Sequence, residues 1–502
     1  MTPEPDLTSP GPLIPAERHH AWLLEARELL RLAVPLAATQ LAQMAILATD
    51  TIMLGHYSKE ALAAGALGNT VFFLIWLVGC GIPMAVSPVI AHIQGAHAGG
   101  KPDRDRRPGA SARKNAEQLV PSQFNATHFS VRPRDQREVR IAVRMGLWSV
   151  AITSLPLMAF LFFTQPILLF FGQEPALAAD AAIFASALAI GLPFALGFQV
   201  LRSFSTALSH AVPPMVVLGL AILFNALADY VLIFGHFGFP RLGIFGAGFA
   251  SASSNIFSFV VMLAIVLGFP ALKRYHIFHR LLHPHWKTFR DLFKLGLPIG
   301  ITMVFEVALF NGAALAMGLF GLTALAAHQI AITIPSITFM VPLGIGLAAT
   351  VRVGMAAGAG DAIAARRAGF TAIGMAGVFM CAMALVLLLW PRQIATLWLP
   401  DIPANADVLA LAVSFLLIAA AFQLMDGIQV AASMSLRGLK DTSGPMWLAG
   451  ASYWLVGAPI GLLLGFAFEM KGMGIWIALA IGLLVAAITL TARFAILSKK
   501  PL

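Results

Sequence analysis

Long apolar runs separated by short polar breaks occupy almost the whole chain. Each run has roughly 20 residues or more, the length a helix needs to cross a hydrocarbon layer of ~30 Å. The pattern predicts twelve spanning helices, at 29–55, 62–96, 139–171, 177–204, 214–235, 243–269, 292–320, 323–350, 366–391, 406–435, 445–467 and 472–497. Helices are expected because lipid offers no hydrogen-bond partner to an open backbone. The short alternating segments of a membrane barrel are absent. Several runs are longer than a straight crossing needs, which predicts tilt, kinks or ends that reach past the lipid.

The pattern also repeats. Sliding the chain by 263 positions lays 31–96 on 294–359 without a gap: Arg31-Leu32 on Lys294-Leu295, Pro35 on Pro298, Ala61-Leu62-Ala63-Ala64 on Ala324-Leu325-Ala326-Ala327, and Gly95-Ala96 on Gly358-Ala359. A weaker echo sets Pro214-Met215 against Pro445-Met446. Span 1 therefore matches span 7. Six spans separate them, so both halves point the same way, as in a parallel repeat about an axis normal to the membrane. The predicted architecture is an all-α integral membrane protein of two six-helix lobes related by a parallel pseudo-two-fold. It comprises a tail at 1–28, an N-lobe at 29–269, a linker at 270–291 and a C-lobe at 292–502. The N-lobe carries an extra basic, proline-containing stretch at about 101–136, read as a disordered loop.

Composition agrees with that reading and fixes an orientation. Hydrophobic residues make up 59% of the chain and charged ones only 11%, against about 25% charged in soluble proteins. The net charge of +10 does not point to nucleic acid, because the basic residues sit between the apolar runs. Of 33 Lys and Arg, 29 fall in the termini and the loops after even-numbered spans, with Arg202 counted among them. The other loops hold Lys59, Arg241, Arg392 and Lys471. Basic loops stay in the cytoplasm, so both termini are expected there, with the chain in a cell inner or plasma membrane as a monomer. The polar, proline-rich first 28 residues lack the basic start and apolar core of a signal peptide and read as a loose tail. Cys80 and Cys381 lie inside apolar runs and read as packing residues. His276, His279, His283 and His285 follow span 6, and Pro284 breaks the helix that would align them on a metal, so they read as a basic connector. No phosphate loop, HExxH or GxSxG is present, which leaves an ATP-driven pump or a familiar hydrolase unsupported.

An ionisable side chain at the centre of a spanning helix costs about 2.5–3.5 kcal/mol on insertion scales and marks function by default. Asp50 lies in span 1, in the outer half. Asn225 and Asp229 share one face of span 5. Glu306 lies near the middle of span 7, where the repeat pairs it with Gln43, and Asp426 lies deep in span 10. With no Lys or Arg expected at that depth, these acids must pair with one another, bind a cation, or hold protons. Coupling such a cation to outward movement of a positively charged small molecule is the simplest use. No further cofactor is expected, only Na+ or H+.

At these residues the chain resembles the multidrug and toxic compound extrusion (MATE) family, in its bacterial cation-coupled branch. The stretches that carry the resemblance are LAVPLAATQLAQMAILATDTIMLG (32–55), LGLPIGITMVFEVALF (295–310), ALAAHQIAITIPSITFMVPLGIGLAATVRVG (324–354) and FQLMDGIQVAASMSLRGLKDT (422–442). The resemblance implies a two-lobed antiporter that expels drugs and other organic cations in exchange for Na+ or H+. It implies an N-lobe ion site at Asp50, Asn225 and Asp229, with Ser251 supplying the span 6 hydroxyl where many relatives have Thr. It places the C-lobe acids at Glu306 and Asp426. The long loop after span 2 departs from the family pattern. Two rival readings are a flippase for lipid-linked sugars of the same superfamily, which calls for deep cations, and a membrane-embedded enzyme using the acids as general acid and base.

Overall fold

The computed structural model describes residues 15–98 and 133–500. Most of the 101–136 stretch and the first half of the 1–28 tail lie outside the described residues. Among those described, every regular element is helical. The N-lobe holds α1 (Pro15–Tyr57), α2 (Lys59–Ala98), α3 (Pro133–Leu161), α4 (Thr164–Phe170), α5 (Pro175–Ala189), α6 (Leu192–Ala207), α7 (Val212–Phe234) and α8 (Gly243–Gly268). The short α9 (Pro270–Lys273) leads to the C-lobe. That lobe holds α10 (Trp286–Leu319), α11 (Leu322–Gly358), α12 (Ala362–Leu389), α13 (Pro391–Ala395), α14 (Ala406–Gly438), α15 (Ser443–Ala467) and α16 (Lys471–Leu497). Eleven of these helices are long and apolar enough to cross a membrane. The twelfth crossing, expected as one helix at 177–204, is the pair α5 and α6, bent by 47°. The bend falls at Ile190-Gly191, just before Pro193, whose ring cannot continue a hydrogen-bonded turn. Gly191 lets the corner approach the backbone of Ala252 on α8.

Three placements differ from the sequence reading. The expected tail is helical from Pro15 onward, and the α1 extension buries Glu25. The expected linker gives up its last residues to α10, which starts at Trp286. Arg202, counted as a loop residue, lies inside α6 and is buried.

The start of α1 and the end of α16 share one side of the molecule, called here the terminal side. Glu25 near the start of α1 holds Arg352 near the end of α11, and Arg366 at the start of α12 donates 3.0 Å to the Ala495 carbonyl near the end of α16. On this side the lobes pack backbone to backbone. A Cβ on Gly95 would overlap the Met355 carbonyl, and one on Gly358 would overlap the His92 carbonyl. Nearer mid-helix, Gly81 abuts Gly296 and Gly300, while Gly344 abuts Ala37. Adding 263 to the N-lobe member of the first contact in each pair and subtracting 263 from its C-lobe member gives the second, so the sequence repeat is also a repeat of the interface. The prolines follow the same operation: Thr39 donates 2.6 Å to the Pro35 carbonyl, and Thr302 donates 2.7 Å to the Pro298 carbonyl. Two polar links cross the same seam. Arg352 is bidentate to Glu25 at 2.8 and 2.7 Å, and a His92 ring nitrogen lies 2.8 Å from the Gly438 carbonyl.

The far halves of the facing helices carry no matching glycine contact. Gly55 meets only Leu62 of its own hairpin, and Gly312, Gly318 and Gly321 meet nothing within 4 Å. Each lobe has its own apolar core, one built around α11, α12, α14 and α16, the other around α2, α3, α6 and α8.

Candidate functional site

The N-lobe acids sit on the stripes that helix periodicity turns inward. On α7 the buried positions run Pro214, Val217, Leu218, Ala221, Asn225, Asp229 and Ile233, so the polar pair occupies two successive turns of the packing stripe. On α8 the stripe runs through Ala247, Ser251, Ser254 and Ser258. Small residues let the two helices close up, and Gly246 touches the Leu232 backbone of α7. Asp50 comes from the far-side end of α1. Ser251 donates to Asp50 Oδ2 at 2.5 Å, and Asp229 and Asn225 adjoin the same carboxyl. Asn225 and Asp229 are wholly buried and Asp50 nearly so. Asp50 Oδ1, Asn225 Oδ1 and both Asp229 oxygens are buried without a donor. This is a set of four unsatisfied oxygens with a hydroxyl beside it. Buried polar atoms are rarely left unpaired, and two adjacent carboxylates in a low-dielectric interior need a proton or a cation between them. Oxygen donors of this kind suit a proton or a hard cation.

The C-lobe acids form a second, separate cluster. Asp426 lies on the buried stripe of α14, next to Gly427, which gives Met380 room to pack. Glu306 of α10 is its electrostatic neighbour, and Asp426 Oδ1 is buried without a donor. Tyr453 of α15 lies within electrostatic range of both acids, fully buried, with its hydroxyl unpartnered. It sits on a π-helical turn, Ala451–Gly457, a wide turn of a kind frequent at functional sites. Gln423, one turn before Asp426, accepts 3.2 Å from Thr338 and leaves its amide nitrogen free. The structure thus gathers Asp50, Asn225, Asp229 and Ser251 in one lobe and Glu306 with Asp426 in the other.

Two basic side chains that the sequence reading counted with the loops are buried in helices: Arg202 on α6 and Arg437 at the end of α14. Arg202 donates to Gln40 and, at 3.2 Å, to Gln43. Arg437 reaches Glu306 electrostatically without forming an ion pair among the described residues. Each arginine stands near a polar break at the end of an apolar run, which is why it reads as a loop residue. A signal did exist in the sequence. Gln199-Val200 with Ser203 and Ser205 matches Gln429-Val430 with Ser433 and Ser435, which marks both segments as repeated helix. Tyr453 left no comparable signal, because a lone Tyr in an apolar run is equally a packing residue. The four histidines at 276–285 gather no metal-binding group among the described residues.

Comparison with known proteins bears on the identity of this arrangement. The MatE family model matches residues 35–101, 133–231 and 298–463. The probable multidrug resistance protein NorM of Mesorhizobium japonicum is 42% identical over 476 residues, covering 94% of each chain. A protein of the same name from Brucella suis is 40% identical over 474 residues, 94% of this chain and 93% of its own. Among solved structures, the eukaryotic MATE transporter AtDTX14 superposes with a TM-score of 0.79 at 20% identity, covering 95% of this chain and 96% of its own. A multidrug resistance MATE transporter in an outward-facing conformation gives 0.75 at 21% identity, with the same coverage. A fold of two repeated six-helix lobes, matched over most of its length by the family model and by relatives at about 40% identity, places this chain in the MatE, or multidrug and toxic compound extrusion, family of multi-pass membrane transporters.

Proposed function

We propose that this chain is a secondary active exporter of cationic or amphipathic drug-like molecules across the bacterial inner membrane, in exchange for Na+ or H+. The observation that carries this reading is the unsatisfied oxygen set at Asp50, Asn225 and Asp229. A buried acid pair with no basic partner is balanced when a small cation enters and unbalanced when it leaves, which is what an exchange cycle requires. Ser251 fixes one Asp50 oxygen and leaves the other facing its neighbours. The C-lobe pair Glu306 and Asp426, with Tyr453, offers a second point of loading.

The distribution of Lys and Arg supports cytoplasmic termini. With the terminal side inward, lobes packed backbone to backbone there, with no matching glycine contact on the far side, fit an outward-facing state. The cation would then load from outside as substrate leaves.

The test is dye efflux from everted vesicles, with a pH gradient and a Na+ gradient imposed separately. One gradient drives wild-type efflux. Asp50→Asn and Asp426→Asn each abolish it while membrane levels stay normal. Undiminished efflux in both variants overturns the site assignment, and efflux that needs neither gradient overturns the exchange mechanism.

A further inference from the structure

Arg202 and Arg437 are not needed for the ion sites proposed above, yet both are buried at the seam between the lobes. They line one cavity of about 30 Å3 together with Gln199, Ser203, Thr206 and Ser87. Arg202 comes from the N-lobe and Arg437 from the C-lobe. Arg202 gives two hydrogen bonds to neutral amides, and Arg437 gives one, 3.3 Å, to the Met434 thioether. Among the described residues neither guanidinium meets a carboxylate. Glu306 acts on Arg437 only from beyond ion-pair distance. Cys80 on α2 lies within electrostatic range of both. The Thr206 hydroxyl is also buried, with no partner. The space is thus lined by hydroxyls, an amide and two cations on one part and by apolar side chains such as Met84 and Ile299 on the rest, with no acid among them.

We propose that this cavity binds one small monovalent anion of the halide class, bridging Arg202 and Arg437 across the lobes. Size selects the ligand. A water needs roughly 10–15 Å3 of such space, so the cavity has room for two waters or one halide. Charge selects it too. Two buried cations without an acid are unfavourable, and two waters compensate them far less well than an anion does. Guanidinium N–H groups and the Thr206 hydroxyl are the donors that an anion takes. Because each lobe supplies one arginine, the site is complete only while the terminal sides are packed. Halide binding therefore favours the sealed state over the opposite one.

The experiment uses the purified full chain in detergent. Thermal unfolding is followed while chloride replaces gluconate at constant sodium and ionic strength, with bromide as a second halide. The wild type gives a saturable rise in unfolding temperature with both halides. The near-isosteric Thr206→Val and the variant Arg437→Gln each move the half-saturating concentration up at least tenfold. Bromide-soaked crystals give an anomalous peak between the two arginines. Superimposable chloride and gluconate curves for the wild type overturn the proposal. So does a saturable halide effect that Thr206→Val and Arg437→Gln both retain, since that places the anion elsewhere. If Arg437→Gln does not fold, Thr206→Val and the bromide peak decide alone.

Discussion

The Glu25–Arg352 pair offers the sharpest test of how the lobes are held together. It is bidentate and crosses the seam, and its side chains are only 6% and 11% exposed. Glu25→Gln keeps the shape and removes the charge. Breaking one side of a buried pair costs about 3–5 kcal/mol. Residual exposure puts this case near the lower end, about 3 kcal/mol, or roughly 150-fold in an equilibrium at 1.4 kcal/mol per decade. The penalty applies only where Arg352 is buried. When the terminal sides part, its guanidinium meets water and needs no carboxylate. The substitution should therefore shift the population roughly 150-fold toward the opposite state rather than simply destabilise the fold. Electron–electron distance measurements between labels at His56→Cys and Leu319→Cys, on the far ends of α1 and α10, read this directly. The background is Cys381→Ser, while the buried Cys80 is kept. The far-side distance should shorten in Glu25→Gln and recover in the charge-reversed double variant Glu25→Arg with Arg352→Glu. A distance distribution that stays at the wild-type value while the unfolding temperature falls would refute the reasoning. The pair would then be ordinary packing.

Three further outcomes follow from the same geometry. Gly95→Ala forces a methyl into the Met355 carbonyl and should likewise bias the molecule against the sealed state, whereas Gly219→Ala, with open space around it, should be neutral or stabilising by about 1 kcal/mol; the same distance measurement and an unfolding curve distinguish them. Ser251→Ala removes the hydroxyl donor to Asp50 and should weaken the apparent affinity for the driving cation several-fold without abolishing maximal efflux, while Ser251→Thr restores it; equal half-saturating cation concentrations in all three proteins would count against a role for the hydroxyl. Tyr453→Phe should alter cation dependence without lowering protein level, since its hydroxyl has no other partner; unchanged cation dependence would remove it from the C-lobe site.

Much of this molecule is legible in its sequence because the membrane reduces the choices. A run long enough to cross lipid has to be a helix, and the 263-residue offset carries its prolines and glycines straight onto the interface, as Gly95 and Gly358 illustrate. The polar residues of α7 were legible for the same reason: Asn225 and Asp229 share a face, and an apolar helix buries that face inside the lobe. What escaped depended on neighbours rather than period. Arg202 stands two residues inside the end drawn for its span and Arg437 two residues past the end of its own, where an apolar run gives way to polar residues and a lone sequence does not say how far the helix continues. It continues in both cases, because α6 and α14 run on into the packed terminal side. The early start of α1 has a similar origin. Residues 15–28 look polar enough for a tail, yet Arg352 on another lobe gives Glu25 a buried partner.

The repeat also shows where symmetry ends. The scaffold is duplicated closely: proline on proline, threonine bond on threonine bond, glycine contact on glycine contact. The chemistry is not. Gln43 stands where the other lobe has Glu306, and each has a buried arginine nearby, Arg202 hydrogen-bonded to the amide and Arg437 acting on the acid from a distance. Asp50 falls on Ala313 in the other half. A symmetric seam has no built-in preference for one lobe, so any asymmetry in the cycle has to come from these divergent side chains. Exchanging the pair, Gln43→Glu with Glu306→Gln, tests that step. If the acid's position in the scaffold is all that matters, the swapped protein should retain cation-dependent efflux. If the C-lobe neighbours Asp426 and Tyr453 are required, efflux should be lost in the swap as fully as in Glu306→Gln alone, and retention of wild-type activity would refute the assignment of those neighbours to the site.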